Sequence, residues 1–164
     1  MKEIALFLIF IHASQSAKIL GIFPTPSISH QFVFRTLMKD LADRGHELVI
    51  LTPVPFKTDN PNVTQIDLHS SYEILRREFN FVDIKNNNVD EAGVFSHFFP
   101  VMMNYFEEQL SHPEVKKLIA DRNSNHFDVI IMEVLTNYPM LAFAEIFDAP
   151  VIEFTSVDTI NFLW

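Results

Sequence analysis

A histidine and a glutamate stand where two predicted strands end. His30 belongs to the stretch FPTPSISHQ, residues 23–31, between an apolar run and an amphipathic segment. Glu133 closes a second apolar run, FDVIIME, at residues 127–133. Ligands of open parallel sheets bind at the carboxyl ends of the strands. If the two strands are neighbours, the imidazole and the carboxylate face the same crevice.

An imidazole–carboxylate pair suits the removal of a proton from an acceptor hydroxyl. A carboxylate bonded to one ring nitrogen fixes the tautomer and leaves the other nitrogen free as a base. His30 and Glu133 are therefore the predicted catalytic residues. Two ordinary interpretations stay open: His30, one of 7 histidines, is a solvated residue near a helix start, and Glu133 is a solvent-facing strand end.

Other common catalytic motifs are absent from the sequence. It contains no glycine-rich dinucleotide or phosphate loop, no zinc-protease helix motif and no nucleophile elbow. The histidines are scattered, so no metal site is predicted, and no cofactor is expected. The net charge of −9, without any basic patch, argues against nucleic acid as a partner.

Apolar runs alternate with amphipathic segments along the chain, which predicts an α/β fold: a Rossmann-like parallel sheet covered by helices. The predicted strands cover residues 17–23, 46–53, 63–68, 127–133 and 149–156. The predicted helices cover residues 30–44, 90–110, 113–122 and 138–147, with a bend at Pro100 in the second. Residues 75–88 show no clear pattern.

The helix that begins near His30 has the clearest signals. Its apolar residues recur at i, i+3, i+4 and i+7, as on one stripe of a helix: Phe34, Leu37, Met38 and Leu41. Ser27 or Ser29 is the expected N-cap, and Gly45 stands where a C′ glycine ends a helix.

The first 16 residues are predicted to be a secretory signal peptide. Lys2 precedes an apolar run at residues 4–11, and residues 14–16 form a small-x-small cleavage site. A buried first strand is the alternative interpretation. The sequon at Asn62 is a candidate glycosylation site in a lumenal loop. The secretory pathway permits disulfides, but the chain contains no cysteine to form one.

The segment VFSHFFPVMMNYF, residues 94–106, has three interpretations. In the first, four side chains form one buried stripe of the core: Phe95, Phe98, Met102 and Phe106. In the second, Phe99 and Met103 on the neighbouring face line an apolar acceptor pocket, because small-ligand sites are mostly apolar and methionine adapts to varied shapes. A peripheral contact with a membrane is the third.

Four stretches, in this order, resemble the N-terminal half of an animal UDP-glycosyltransferase: AKILGIFPTPSISHQ, LADRGHELVILTP, FDVIIME and APVIEFTS. The insect members of the UDP-glucuronosyltransferase family are the most similar, and the resemblance runs from Ala17 to Trp164. It implies a GT-B glycosyltransferase, in which an N-terminal domain binds a small lipophilic acceptor and a C-terminal domain binds the UDP-sugar. Residues 17–164 are then an incomplete acceptor-binding domain.

The resemblance also implies roles for individual residues. The family's histidine after the first strand matches His30, the general base that takes the hydroxyl proton while the acceptor oxygen attacks the anomeric carbon with inversion. The family's partner acid matches Glu133, where vertebrate members have aspartate. Ser29, Phe99 and Met103 are the expected substrate-binding residues.

The resemblance predicts a protein of the endoplasmic reticulum lumen and leaves its activity open. The sequence stops at Trp164, before the family's donor-binding signature and membrane anchor, so these residues alone are expected to have negligible turnover. The chain is either part of an active enzyme or a short non-catalytic isoform that binds lipophilic molecules or pairs with full-length subunits in a homo- or hetero-oligomer. An unrelated lumenal α/β protein is the third interpretation.

Overall fold

A sheet of five parallel strands forms the centre of the fold. The computed structural model describes residues 16–79, 82, 86, 90–135 and 138–156. The strands lie in the order β3-β2-β1-β4-β5. Their bounds are β1 (Lys18–Ile22), β2 (Glu47–Thr52), β3 (Val63–Asp67), β4 (Val129–Glu133) and β5 (Val151–Phe154). This Rossmann-like arrangement confirms the predicted α/β fold.

Helices flank this sheet. The described residues contain α1 (Ile28–Asp43), α2 (Ser71–Glu78), α3 (Glu91–Ser111), α4 (Pro113–Ala120) and α5 (Ala142–Phe147), with a 3-10 turn at Tyr138–Leu141. Among the described residues, no helix has both the length and the apolar character needed to cross a bilayer. Apart from Ser16, the predicted signal peptide lies outside the described residues.

The sequence pattern missed α2 and misplaced some helix ends. Helix α2 is 8 residues long and half of its residues are charged, with only Ser71 fully buried and Ile74 packed against the core, so its few apolar residues did not stand out in the sequence. Helix α1 begins at Ile28, two residues before the predicted start. Pro100 lies inside α3, which continues to Ser111. At the start of α3, the Asp90 carboxylate accepts a hydrogen bond from the Gly93 amide at 2.8 Å.

The predicted cap residues of α1 behave differently from one another. Ser27 holds the N-cap position with an extended backbone, but its hydroxyl makes no cap and lies 3.0 Å from that of Ser29. Gly45 has φ +93 and donates its amide hydrogen bond to Ala42 O at 2.9 Å, as expected of a C′ glycine. Helix α1 therefore ends as the sequence predicts.

The two faces of the sheet carry separate cores, because successive side chains of a strand point to opposite sides. One face packs against α1 through a first cluster: Ile19, Phe23, Phe34, Met38, Ala42, Leu48, Ile50 and Ile131. The other face packs against α3, α4 and α5 through a second cluster, which includes Leu20, Ile22, Tyr105, Phe106, Leu118, Ile130, Met132 and Phe143. Glu133 follows Ile131 by two residues and so shares the α1 face.

Strand β1 and helix α1 approach closely at Gly21. A Cβ atom there would lie 2.9 Å from the Phe23 ring and 3.1 Å from Met38 Sδ. The Phe23 ring stacks on Phe34 of α1, with 4.4 Å between the ring centroids. The missing side chain therefore lets the helix that carries His30 lie close to the sheet.

We expect the Phe34 ring to hold α1 on the sheet. Phe34 is 0% exposed, so Phe34→Ala should lower the free energy of unfolding by about 3–5 kcal/mol through lost burial and a cavity. Denaturant unfolding followed by circular dichroism measures this change. Phe32→Ala is the matched control on the same helix, since that side chain is 68% exposed and should change stability by less than about 0.5 kcal/mol. Equal losses in the two variants would contradict the packing described.

Candidate functional site

The loop after β1 and the end of β4 meet at one edge of the sheet. Ile22 of β1 pairs with Met132 of β4, so the residue after that pair in β4, Glu133, lies level with the start of the loop. The loop then leads directly into α1, whose first turn carries His30. Neighbouring strand positions thus bring together two residues that are 103 positions apart in the sequence.

His30 and Glu133 form a direct hydrogen-bonded pair. His30 Nδ1 lies 2.8 Å from Glu133 Oε1, and the side chains are 17% and 0% exposed respectively. A carboxylate oxygen only accepts hydrogen bonds, so this contact assigns the proton to Nδ1 and leaves Nε2 with its lone pair. In the neutral imidazole, this geometry therefore leaves the second ring nitrogen able to accept a proton.

The second oxygen of the carboxylate is held by the loop after β1. Thr25 N donates to Glu133 Oε2 at 3.3 Å, and this hydrogen bond is buried. Buried polar groups need hydrogen-bond partners, because they have lost those that water offers. The backbone of the loop and the imidazole of α1 thus share one buried carboxylate.

A buried tyrosine of α3 lies within electrostatic reach of this carboxylate. Tyr105 is almost fully buried, and burial raises the pKa of its phenol well above the usual range. The negative charge of Glu133 raises that pKa further. The phenol therefore stays protonated at neutral pH and presents no charge to the pair.

Two glutamines that the sequence analysis did not select hold the same loop. Gln31 Nε2 donates to Phe23 O and to Thr25 O, both at 2.9 Å. Gln109 Nε2, from α3, donates to Pro24 O at 2.7 Å. Each glutamine occupies a position in the apolar stripe of its helix: Gln31 precedes Phe34 and Met38 at helical spacing. A polar residue in that register was the signal that could have identified them.

The predicted substrate-binding residues lie on two different helices. Ser29 is exposed in the first turn of α1, one residue before His30. Phe99 of α3 is 49% exposed, and Met103 is half-buried against the second core cluster. Their roles stay predictions.

The core interpretation of the α3 stripe agrees with three of its four residues, two of them buried and one partly buried against the second cluster. Met102 and Phe106 are buried, and Phe98 packs on Phe79 with ring centroids 4.9 Å apart. The side chain of Phe95 lies outside the described residues. The predicted glycosylation site, Asn62, is exposed just before β3.

We expect Glu133 to select the tautomer of His30. In Glu133→Gln, the amide has the size of the acid but no longer binds the Nδ1 proton as strongly, so the fraction of the Nε2–H tautomer should rise from a minor to the major form. Nitrogen chemical shifts of 15N-histidine-labelled protein measure this fraction at a pH where the imidazole is neutral.

A second histidine–acid pair provides the matched control. His69 Nδ1 lies 3.1 Å from Asp67 Oδ2, but these side chains are 70% and 50% exposed. Water competes for both groups, so Asp67→Asn should hardly change the tautomer of His69. An unchanged His30 tautomer in Glu133→Gln would contradict the role given to the buried carboxylate.

Comparison with known proteins identifies relatives over most of the chain. An ecdysteroid UDP-glucosyltransferase of Lacanobia oleracea granulosis virus is 33% identical over 144 residues, covering 85% of this chain and 30% of the relative. An enzyme of the same name from Mamestra brassicae nuclear polyhedrosis virus is 30% identical over 161 residues, covering 92% of this chain and 30% of the relative. UDP-glucosyltransferase 2 of Dactylopius coccus is 30% identical over 149 residues, covering 91% of this chain and 28% of the relative.

These matches concern only part of each relative. The chain spans 28% to 30% of the length of the three relatives named. No family model and no solved structure matches the chain. The relatives agree with the resemblance inferred from the sequence and confirm it. The chain is therefore a homologue of the viral and insect UDP-glycosyltransferases, with the features of an N-terminal segment of that family.

Proposed function

We propose that this chain is the acceptor-binding part of a UDP-glycosyltransferase of the GT-B type, and that His30 is its general base. The observation that carries the proposal is the 2.8 Å contact between His30 Nδ1 and the buried Glu133 carboxylate. A base near a strand end, oriented by an acid and partly open to solvent, is what deprotonation of a bound hydroxyl requires. The names of the relatives support the enzyme over a non-catalytic binding module.

The proposed reaction moves one proton and exchanges one bond. The acceptor hydroxyl gives its proton to His30 Nε2 while its oxygen forms a bond to the anomeric carbon of the UDP-sugar. The bond from that carbon to UDP breaks, UDP leaves with the electron pair, and the configuration inverts. The imidazolium that forms is stabilised by the Glu133 carboxylate, which keeps its own charge. Such base assistance contributes about 10²- to 10⁴-fold in rate.

We assign a small lipophilic molecule with a hydroxyl group as the acceptor. Two relatives carry names that include an ecdysteroid and a UDP-glucosyl donor, so an ecdysteroid and UDP-glucose are the first pair to try. Phe99, Met103 and Ser29 are the proposed acceptor contacts, because a partly exposed apolar surface and one hydroxyl suit such a molecule.

We further propose that residues 1–16 direct the protein to the lumen of the endoplasmic reticulum, where Asn62 is glycosylated. The kinship with insect enzymes and the exposure of the Asn62 sequon both support this location.

His30→Ala should reduce sugar transfer to less than about a tenth of wild type while leaving UDP-glucose affinity unchanged, because only the base is lost. The protein is expressed from its complete reading frame in insect cells. Conjugate formation is measured by chromatography, and donor binding by calorimetry.

His69→Ala is the control for this variant, since His69 is an exposed histidine paired with Asp67 on the surface. It should keep wild-type turnover. If His30→Ala retains more than about a tenth of the activity, the base role is wrong.

Glycosylation has a separate test. The expressed protein should lose mass on treatment with an endoglycosidase, and Asn62→Gln should abolish the part of that loss that this sequon contributes. Asn123→Gln, at an exposed asparagine outside any sequon, should not change it. Identical mass losses for Asn62→Gln and wild type would exclude modification at Asn62.

A further inference from the structure

Three consecutive carbonyl groups after β1 are held by buried glutamine side chains. Gln31 binds the carbonyl oxygens of Phe23 and Thr25, and Gln109 binds that of Pro24. Both glutamines are almost completely buried. Carbonyl oxygens only accept, so the amide nitrogens must face the loop and the orientation of both side chains is fixed.

The glutamine clamp, as we name Gln31 and Gln109 together, acts on the segment that completes the His30–Glu133 pair. Thr25, whose carbonyl Gln31 holds, also donates its amide to Glu133 Oε2. Gln31 follows His30 directly in the first turn of α1. One oxygen of the Glu133 carboxylate is thus bound by the loop after β1. The other oxygen is bound by His30 in the first turn of α1, and Gln31 links this turn to the loop.

We propose that Gln31 and Gln109 are positioning residues that keep the Glu133 carboxylate and the His30 imidazole in register, and so keep His30 in its Nδ1–H tautomer. Neither glutamine is assigned contact with substrate. The catalytic consequence rests on the proposed function above, whereas the effect on the imidazole does not.

Gln31 is fully engaged on both sides of its amide. Its two N–H groups donate to the carbonyl oxygens of Phe23 and Thr25, and its Oε1 accepts from Thr52 Oγ1 at 2.8 Å. Thr52 Oγ1 in turn accepts from Val54 N at 3.1 Å. The network therefore joins the carboxyl end of β2 to the loop after β1 and to α1. Because every donor and acceptor of its side-chain amide is used, Gln31 is held in a single orientation.

Gln109 ties the loop to the opposite layer of the fold. It lies on α3, which packs on the face of the sheet away from α1, and its Nε2 also donates to Ser71 Oγ at 2.8 Å. Ser71 and Ser70 in turn bind the Glu108 carboxylate, with oxygen–oxygen distances of 3.3 and 2.6 Å. The loop is thus held by hydrogen bonds from both layers of the fold.

Gln31→Met and Gln109→Met are the test variants. Methionine is close in volume and unbranched like glutamine, so it fills the same space but donates no hydrogen bond. The wild-type protein and both variants are prepared from the complete reading frame with 15N-labelled histidine. The His30 signals are assigned by their loss in His30→Gln.

Gln65→Met is the matched control. Gln65 also holds a loop with two bonds, donating to Phe56 O at 2.8 Å and accepting from Phe56 N at 3.0 Å, but that loop follows β2, whereas the loop that binds the Glu133 carboxylate through Thr25 N follows β1. The same chemical change is therefore made at a glutamine that holds a different loop. Thermal unfolding is recorded for all variants, so that lost stability is separated from lost positioning.

The expected result is a rise of the Nε2–H tautomer of His30 in Gln31→Met and Gln109→Met, towards the proportion shown by the exposed His69, with no rise in Gln65→Met. Transfer should fall by about tenfold or more in the first two variants, with KM for the donor unchanged, because small displacements of a base cost large rate factors. Gln109→Asn, which keeps the amide on a shorter stem, should lie between wild type and Gln109→Met.

If the clamp variants unfold at lower temperatures but keep the wild-type His30 tautomer, the glutamines are structural only and the proposal is wrong. If either methionine variant does not fold, the other variant and Gln109→Asn decide by the same criterion. The proposed function fails separately, through retained activity in His30→Ala. In that case a tautomer shift in the clamp variants would still support the positioning role.

Discussion

The geometry of the candidate site depends on one buried carboxylate. Glu133 ends strand β4 with its side chain fully removed from solvent, and a buried charge persists only where partners replace the water it has lost. Two of those partners come from outside the strand: the imidazole of His30 and the backbone amide of Thr25. The carboxylate therefore does not simply accompany the histidine. It fixes where the loop after β1 and the first turn of α1 must lie.

The same constraint explains why the site lies where the two layers of the fold meet. Helix α1 covers one face of the sheet, and α3 packs on the other. The loop after β1 passes between these layers at the carboxyl edge, where Gln31 and Gln109 reach its carbonyls from α1 and α3. Gly21 contributes by letting α1 approach β1 closely. An arrangement fixed from both layers suits a base, since catalytic groups act only within a narrow range of positions.

Much of this arrangement was predictable from local patterns. Continuous apolar runs predicted parallel strands, the spacing of Phe34 and Met38 predicted α1, and Gly45 predicted its end. Strands β1 and β4 pair although they are far apart in the sequence, and local patterns do not predict such pairing. The sequence therefore identified His30 and Glu133 only as residues at strand ends. Helix α2 was not predicted because it is short and half of its residues are charged, so it contains few apolar residues to mark a helix. The two glutamines were not predicted because the hydrogen-bond partners of a polar side chain in an apolar stripe can be identified only when the fold is known.

Three features combine into the account of function: an oriented imidazole, a buried acid and kinship with UDP-glycosyltransferases. The most direct measurement is an experimental structure of the protein, expressed from its complete reading frame, with UDP and a hydroxylated lipophilic acceptor bound. The account predicts an acceptor hydroxyl oxygen within about 2.6–3.2 Å of His30 Nε2, with Nδ1 still on Glu133. An acceptor bound with no hydroxyl within reach of Nε2, directly or through one water, would contradict it.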